Sequence, residues 1–177
     1  MRLSHLGSVP LRSPRLEALL AAHQWQGASN HCGPFAAAMV LRAWGRASVD
    51  GLALARQLNR PRWLGPLPYL RRIPNWATFP WGVADVLRQH GLRAHWRWGA
   101  SFKMLRRGLA QGWALLPVLG QWRPLWAHVA VLAAYHPQKG WALVDSAHPR
   151  GELVWLPAGT FARQWRAFGR LLILAYP

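Results

Sequence analysis

The order of the apolar periods constrains this chain more than any other feature. Helical spacing dominates up to residue 91, and strand-like runs dominate from residue 113. Leu16, Leu19 and Leu20 mark a short N-terminal helix. CGPFAAAMVLRAW, from Cys32, reads as a strong helix: it is Ala-rich, Pro34 falls in the first turn where its missing N–H costs nothing, and Gly45 stops it. Ser48 is the expected cap of a second helix running to about Leu58. Residues 60–80 hold five prolines and no period, and read as one long loop. Val83, Val86 and Leu87 share a helical face over 81–90, ended by Gly91, and Ser101 caps a helix over 102–111.

The strand signals are 92–98, which alternates, and then 113–119, 127–135, 141–146 and 151–156. HPQKG at 136–140 has turn chemistry, so 127–135 and 141–146 are expected to form a hairpin. A helix from Thr160 over 161–168 and a buried strand at 171–176 complete the chain. Helices followed by strands argue for an α+β domain, its N-terminal helices packed against a C-terminal, mostly antiparallel sheet. No linker divides the chain in two.

With 177 residues, 52% hydrophobic and 15% charged, the chain is long and apolar enough for a single sizeable core. No apolar run reaches the roughly 18 residues a spanning helix needs. The first residues carry no apolar stretch with a small-residue cleavage site, so a secretory signal is not expected and a cytoplasmic location is. A single cysteine, Cys32, excludes an internal disulfide and a multi-cysteine zinc site.

Lys and Arg number 22 against five Asp and Glu, a net charge of +17. Such a balance admits nucleic acid or an acidic partner. All the cations except Lys103 and Lys139 are arginine, a skew that also follows from GC-rich codons, and no block of like charge forms. The segment 95–108 interleaves cations with aromatics as a single-strand binder does, but tryptophans at period two in a strand more often face a core or a groove. Nucleic acid is therefore a possible partner, not the favoured one.

The chemistry concentrates around Cys32. A thiol at a helix N-terminus meets a partial positive charge and free N–H groups, which favour the nucleophilic thiolate. A thiol nucleophile also needs a base, and the base an orienting acceptor. His128 opens the strand AHVAVLAAY and Asp145 ends WALVD. In a hairpin of those two runs they stand near the same end of neighbouring strands. Either residue alone reads equally well as a rim histidine or a turn former; the joint spacing carries the inference. His31, Cys32, His128 and Asp145 are metal-ligand types, but their spacing matches no zinc pattern, and no metal or other cofactor is expected.

Gln26, Cys32-Gly33-Pro34 with the following Ala-rich helix, the His128-led strand and the Asp145-ended strand together resemble the papain-like cysteine peptidases. They are most similar to the bacteriocin-processing, double-glycine leader peptidases and their stand-alone relatives. The resemblance runs from about Gln24 to the C-terminus and includes PVLG at 117–120 and the Phe161-x3-Trp165 pair. It implies a domain at 24–177 behind an N-terminal extension, 1–23. It implies Cys32 as nucleophile, His128 as general base, Asp145 as its orienting partner and Gln26, six residues before the cysteine, as oxyanion donor, with Gln24 as the fallback. A side-chain amide beside the Cys32 N–H suits that role on chemical grounds as well. The sequence departs from the family at Ala127, where glycine is usual, at Val129, and at Ser146, where proline is usual and Pro149 stands three residues on.

The expected function is thus a thiol-dependent peptidase acting on a peptide or protein, with acidic substrates favoured by the charge alone. A domain standing apart from any peptide exporter is expected. The same residues also suit an acyl transferase or transglutaminase-like enzyme, in which an amine accepts the acyl group, and a groove that binds peptide without cutting it. Trp63, Trp76, Trp122 and Trp126 are candidates for a substrate cleft, and Trp44 for the core.

Overall fold

The computed structural model describes residues 9–177. Residues 1–8, the first part of the N-terminal extension and of the segment read for a secretory signal, lie outside the described residues. In chain order the elements are β1 (Leu11–Arg12), α1 (Leu16–Ala21), α2 (Cys32–Ala43), α3 (Gly51–Asn59), β2 (Arg62–Leu64), β3 (Leu67–Tyr69), β4 (Arg72–Ile73), β5 (Ala77–Thr78), α4 (Pro80–Gln89), β6 (Arg93–Arg97), α5 (Phe102–Ala110), β7 (Ala114–Trp122), β8 (Leu125–Val129), β9 (Val131–His136), β10 (Gly140–Val144), β11 (Leu153–Leu156), α6 (Ala158–Ala167) and β12 (Leu172–Tyr176).

One large sheet organises these elements. Its strands run in the order β11-β10-β9-β7-β12-β6, with β1 on β9 and β8 on β7, and every pairing is antiparallel. The alternation within its strands sends side chains into two cores. Leu116, Val118, Ile173 and Ala175 join α1, α2, α3 and α4 on one face. Leu115, Leu119, Leu172 and Leu174 join α5 and α6 on the other. Both faces are covered, so β7 and β12 read as unbroken apolar runs rather than alternating ones. The expected mixture of helices and a large antiparallel sheet is present. The helices are not confined to one face, however, because α5 and α6 pack behind the sheet.

Helix α2 lies in the middle of the first core, with ten of its 12 residues buried. A helix apolar all round has to be enclosed, and α1, α3, α4 and the sheet enclose this one. Within the extension, β1 pairs with the sheet and Leu16 and Leu19 of α1 are buried in the same core as α2.

Several local expectations change. Asp50, not Ser48, caps α3, its carboxylate accepting from the Ala53 N–H at 2.7 Å. Residues 60–80 are two short hairpins, β2–β3 and β4–β5, rather than a loop. Strands of two or three residues are too short to show a period. The second hairpin turns through Asn75 at φ 58°, a left-handed conformation that asparagine tolerates. The run 127–135 is not one strand: it breaks at Ala130 into β8, which pairs with β7, and β9, which pairs with β10. Helix α6 begins at Ala158, earlier than Thr160. Ser101 caps α5 as expected, accepting from the Met104 N–H, and Trp44 is in the core.

Candidate active site

The N-terminus of α2 presents Cys32 half-buried beside β8. Its approach to the rest of the molecule depends on Gly33. A Cβ there would stand 2.8 Å from Thr78 Cβ and 3.2 Å from Val83 Cγ2, so β5 and α4 close directly onto the helix start.

His128 lies within β8, opposite Leu119 of β7, and does not open a strand as the sequence pattern implied. Strand β8 starts earlier, at Leu125. The last matched pair of β9 and β10 is Val131 with Val144. Asp145 lies one residue beyond that pair, and the break at Ala130 turns β8 so that His128 meets it. His128 Nε2 and Asp145 Oδ1 are 2.6 Å apart. The Ala147 N–H donates to the same oxygen at 2.8 Å, and His23 Nε2 lies 3.1 Å from the Asp145 carbonyl oxygen. With Nε2 engaged by Asp145, the other ring nitrogen is left for the sulfur.

The electrostatics follow from this chain of contacts. Burial pushes the Cys32 thiol up, but a hydrogen bond from His128, the imidazolium charge and the backbone N–H groups of Val129 and Gly33 outweigh it, and the thiol is held below its ordinary value of 9.0. Burial pulls His128 down, yet the hydrogen bonds and charges of Asp145 and Cys32 raise it to about 10. Burial also pushes Asp145 up, and His128 more than reverses that shift, with help from the Ala147 N–H and His148. All three shifts run toward a thiolate beside an imidazolium beside a carboxylate. A thiolate is the nucleophilic form of sulfur, and an imidazolium is positioned to return a proton to a leaving group.

Gln26 joins the same place. Its backbone N–H donates to the Ser146 carbonyl at 2.8 Å, tying the loop before Cys32 to the residue after Asp145. Its Oε1 accepts from the Ser146 hydroxyl at 2.6 Å, and its Nε2 donates to the Ser29 carbonyl at 2.7 Å. Gln24 points elsewhere: its Oε1 accepts from the Gly51 N–H at 2.9 Å, at the start of α3. Sequence reasoning treated Ser146 only as a departure from a pattern. It is wholly buried and holds the Gln26 amide, and its position directly after Asp145 was the available signal.

A cleft of about 470 Å³ runs over these residues. Gln26, Cys32 and His128 line it together with Trp76, Trp122 and Trp126. Trp122 is braced, stacking on Phe168 and donating to the Ala167 carbonyl at 2.6 Å. Trp63 is exposed and lies outside the cleft lining. A more open hollow of about 600 Å³ is lined by Ala18, Arg42, Arg46 and Ser48 among others, with no His, Cys, Asp or Glu in its lining. Among the described residues no group of three His, Cys, Asp or Glu is arranged to hold a metal ion. Nor is any helix among them long and apolar enough to cross a membrane.

Comparison with known proteins bears on the fold. No protein-family model and no curated protein sequence matches the chain. Solved structures do. A proposed C39-like peptidase from Bacillus anthracis superposes with a TM-score of 0.71 at 14% identity, over 96% of this chain and 98% of that one. A double-glycine motif protease from an AMS/PCAT transporter, solved in complex with the leader peptide, superposes with a TM-score of 0.61 at 16% identity, over 88% of this chain and 90% of that one. The chain shares the fold of these two proteins, which are of the kind its motifs resemble.

Proposed function

We propose that the chain is a thiol-dependent peptidase of papain-like architecture that cleaves a peptide or amide bond. The observation that carries this reading is the linked series at the cleft: Cys32 at the start of α2 and His128 in its lining, and Asp145 behind them at 2.6 Å from His128 Nε2. The Cys32 thiolate attacks the carbonyl carbon of the bound peptide. The carbonyl oxygen takes up the negative charge, stabilised by the Cys32 N–H and the Gln26 side-chain amide; one such donor is worth roughly 3–4 kcal/mol. His128 passes its proton to the departing amine as the C–N bond breaks, leaving a thioester. It then takes a proton from water, which attacks the thioester, releases the acid product and restores the thiol–imidazole pair. Asp145 keeps the ring oriented throughout. No cofactor enters any step.

The peptide would lie between Trp76 and the β7–β8 hairpin. The leader peptide bound by the AMS/PCAT protease is a precedent for a peptide ligand on this fold.

The test is to incubate a peptide library with wild type and Cys32→Ala and to read the products by mass spectrometry, with and without hydroxylamine. New termini that require Cys32 support the peptidase. Products that appear only as hydroxamates, with no free acid, would replace hydrolysis by acyl transfer. Peptide binding that is equal in both proteins, without cleavage in either, would leave a binding groove.

A further inference from the structure

Arg71 and Arg72 are adjacent, both buried, and differently served. Arg71 Nη1 lies 3.1 Å from the Asp85 carboxylate, a conventional ion pair. Arg72 is only 2% exposed and is among the largest fully buried side chains, yet its guanidinium meets neutral acceptors alone. Its Nε donates to Thr78 Oγ1 at 3.1 Å, Nη1 to Asn59 Oδ1 at 2.6 Å and Nη2 to the Asn30 carbonyl at 3.3 Å.

The chain has five carboxylate side chains to offer, and all are placed elsewhere. Asp50 caps α3, Asp85 takes Arg62, Arg71 and Arg88, Asp145 takes His128, Glu152 faces His148, and Glu17 is exposed on α1. Arginine does not give up its proton in a protein, and burying a cation with no anion is costly.

The Arg72 hydrogen bonds lead to Cys32 from two directions. Asn30 lies two residues before it, and its side chain is held in turn by the Asn75 carbonyl at 3.0 Å. Thr78 packs against Gly33, the residue after it.

Resting on the reading of Cys32 as nucleophile, we propose that the Arg72 guanidinium is a fixed counter-charge to the Cys32 thiolate, a positioning residue that clamps both sides of the α2 N-terminus and favours the ionised sulfur independently of His128. The charge of the ionised sulfur and the Arg72 guanidinium attract one another. Burial, and then the same cation, hold neighbouring His31 below its ordinary value. The titratable and charged groups around Cys32 are therefore His128 from β8, with Asp145 behind it, Arg72 from β4 and His31 on its own segment.

The experiment measures iodoacetamide alkylation of the single cysteine against pH in four proteins: wild type, His128→Ala, His128→Ala/Arg72→Gln and His128→Ala/Arg72→Lys. Removing His128 isolates the second charge. Loss of Arg72 is expected to raise the thiol midpoint by about one pH unit, leaving about tenfold less thiolate below it. The lysine variant, which keeps the charge, is expected to recover most of that shift. A midpoint that does not move with Arg72→Gln, or a lysine variant that behaves like the glutamine one, overturns the counter-charge.

A second readout does not depend on an Arg72 variant folding. The Arg72 Nε–H resonance of His128→Ala should step at the thiol midpoint and stay flat in His128→Ala/Cys32→Ala; a flat resonance in both overturns the proposal. An acidic wild-type thiol that ignores Arg72 removes this inference only. A wild-type thiol of ordinary midpoint that ignores His128 removes the peptidase reading with it.

Discussion

The Ser146 hydroxyl donates to Gln26 Oε1 at 2.6 Å across 120 residues of sequence. The acceptor end of the Gln26 amide is thereby occupied, and of its two Nε2 hydrogens one goes to the Ser29 carbonyl and the other is left for a ligand. Ser146 lies at the end of the sheet beside Asp145, so the amide and the His128–Asp145 pair are held by the same turn.

This relationship separates two variants. Gln26→Ala removes an oxyanion donor and is expected to lower kcat about 10²–10³-fold with little change in KM. Ser146→Ala leaves the amide in place but frees it to rotate, and a smaller loss of about tenfold is expected. Steady-state kinetics on one cleaved peptide measure both. A Ser146→Ala enzyme with wild-type kcat would mean that the hydroxyl does not orient the amide.

Asp145 acts through His128, by orientation and by charge. Asp145→Ala loses both and is expected to lower kcat/KM about 10²-fold or more. Asp145→Asn keeps a carbonyl oxygen that accepts from Nε2–H, and it should retain more activity than the alanine variant. Equal losses in the two variants would assign the whole effect to the charge.

The shifted pKa values predict an unusual stability profile. His128 is raised from 6.5 to about 10, so its contribution is complete below 6.5 and is lost as pH rises toward 10. Cys32 is lowered from 9.0, so its contribution is complete above 9.0 and is lost as pH falls through the folded value. Above 6.5 and above the folded thiol value, up to 9.0, the folded state keeps one proton on the imidazole and the unfolded state keeps one on the thiol. The two slopes cancel there, and the pair contributes a plateau in that window. Cys32→Ala removes one side of the balance, and its stability is expected to go on falling as pH rises through the same window. Urea unfolding of both proteins at pH values across the window measures the difference; parallel profiles would contradict the ion pair.

Trp76 is 63% exposed on the turn of the β4–β5 hairpin and lines the cleft together with Trp126. Trp76→Ala is expected to raise KM for peptide several-fold, with kcat and melting temperature nearly unchanged, because the ring packs little of the core. A matching fall in kcat would place the ring closer to the reacting bond than the cleft wall.

What the sequence disclosed and what it hid follow from length and from distance. Helix α2 was legible because 12 residues of Ala-rich sequence carry their own period and stop signals. The two-residue strands of β4–β5 were not, since no alternation fits in so short a run and the prolines argued for a loop. Cys32, His128 and Asp145 were legible as residue types at a spacing, and the fold brings them together. The geometry that joins them was not: the apolar run 127–135 hides a break at Ala130, which puts His128 on β8, paired with β7, and not on the strand that pairs with β10. Arg72 gave no local signal, and Ser146 gave only its place directly after Asp145. One is an arginine among 22 cations and the other a serine after an aspartate, and each acquires meaning only from partners far along the chain.

The most direct measurement of the central claim is the rate of iodoacetamide alkylation against pH in wild type and His128→Ala. With one cysteine in the chain the readout belongs to Cys32 alone. The account predicts fast alkylation that persists well below the ordinary thiol range of about 8.5, and a rise of the midpoint toward that range when His128 is removed. A wild-type thiol that titrates near that ordinary value, with a profile indifferent to His128, would contradict it.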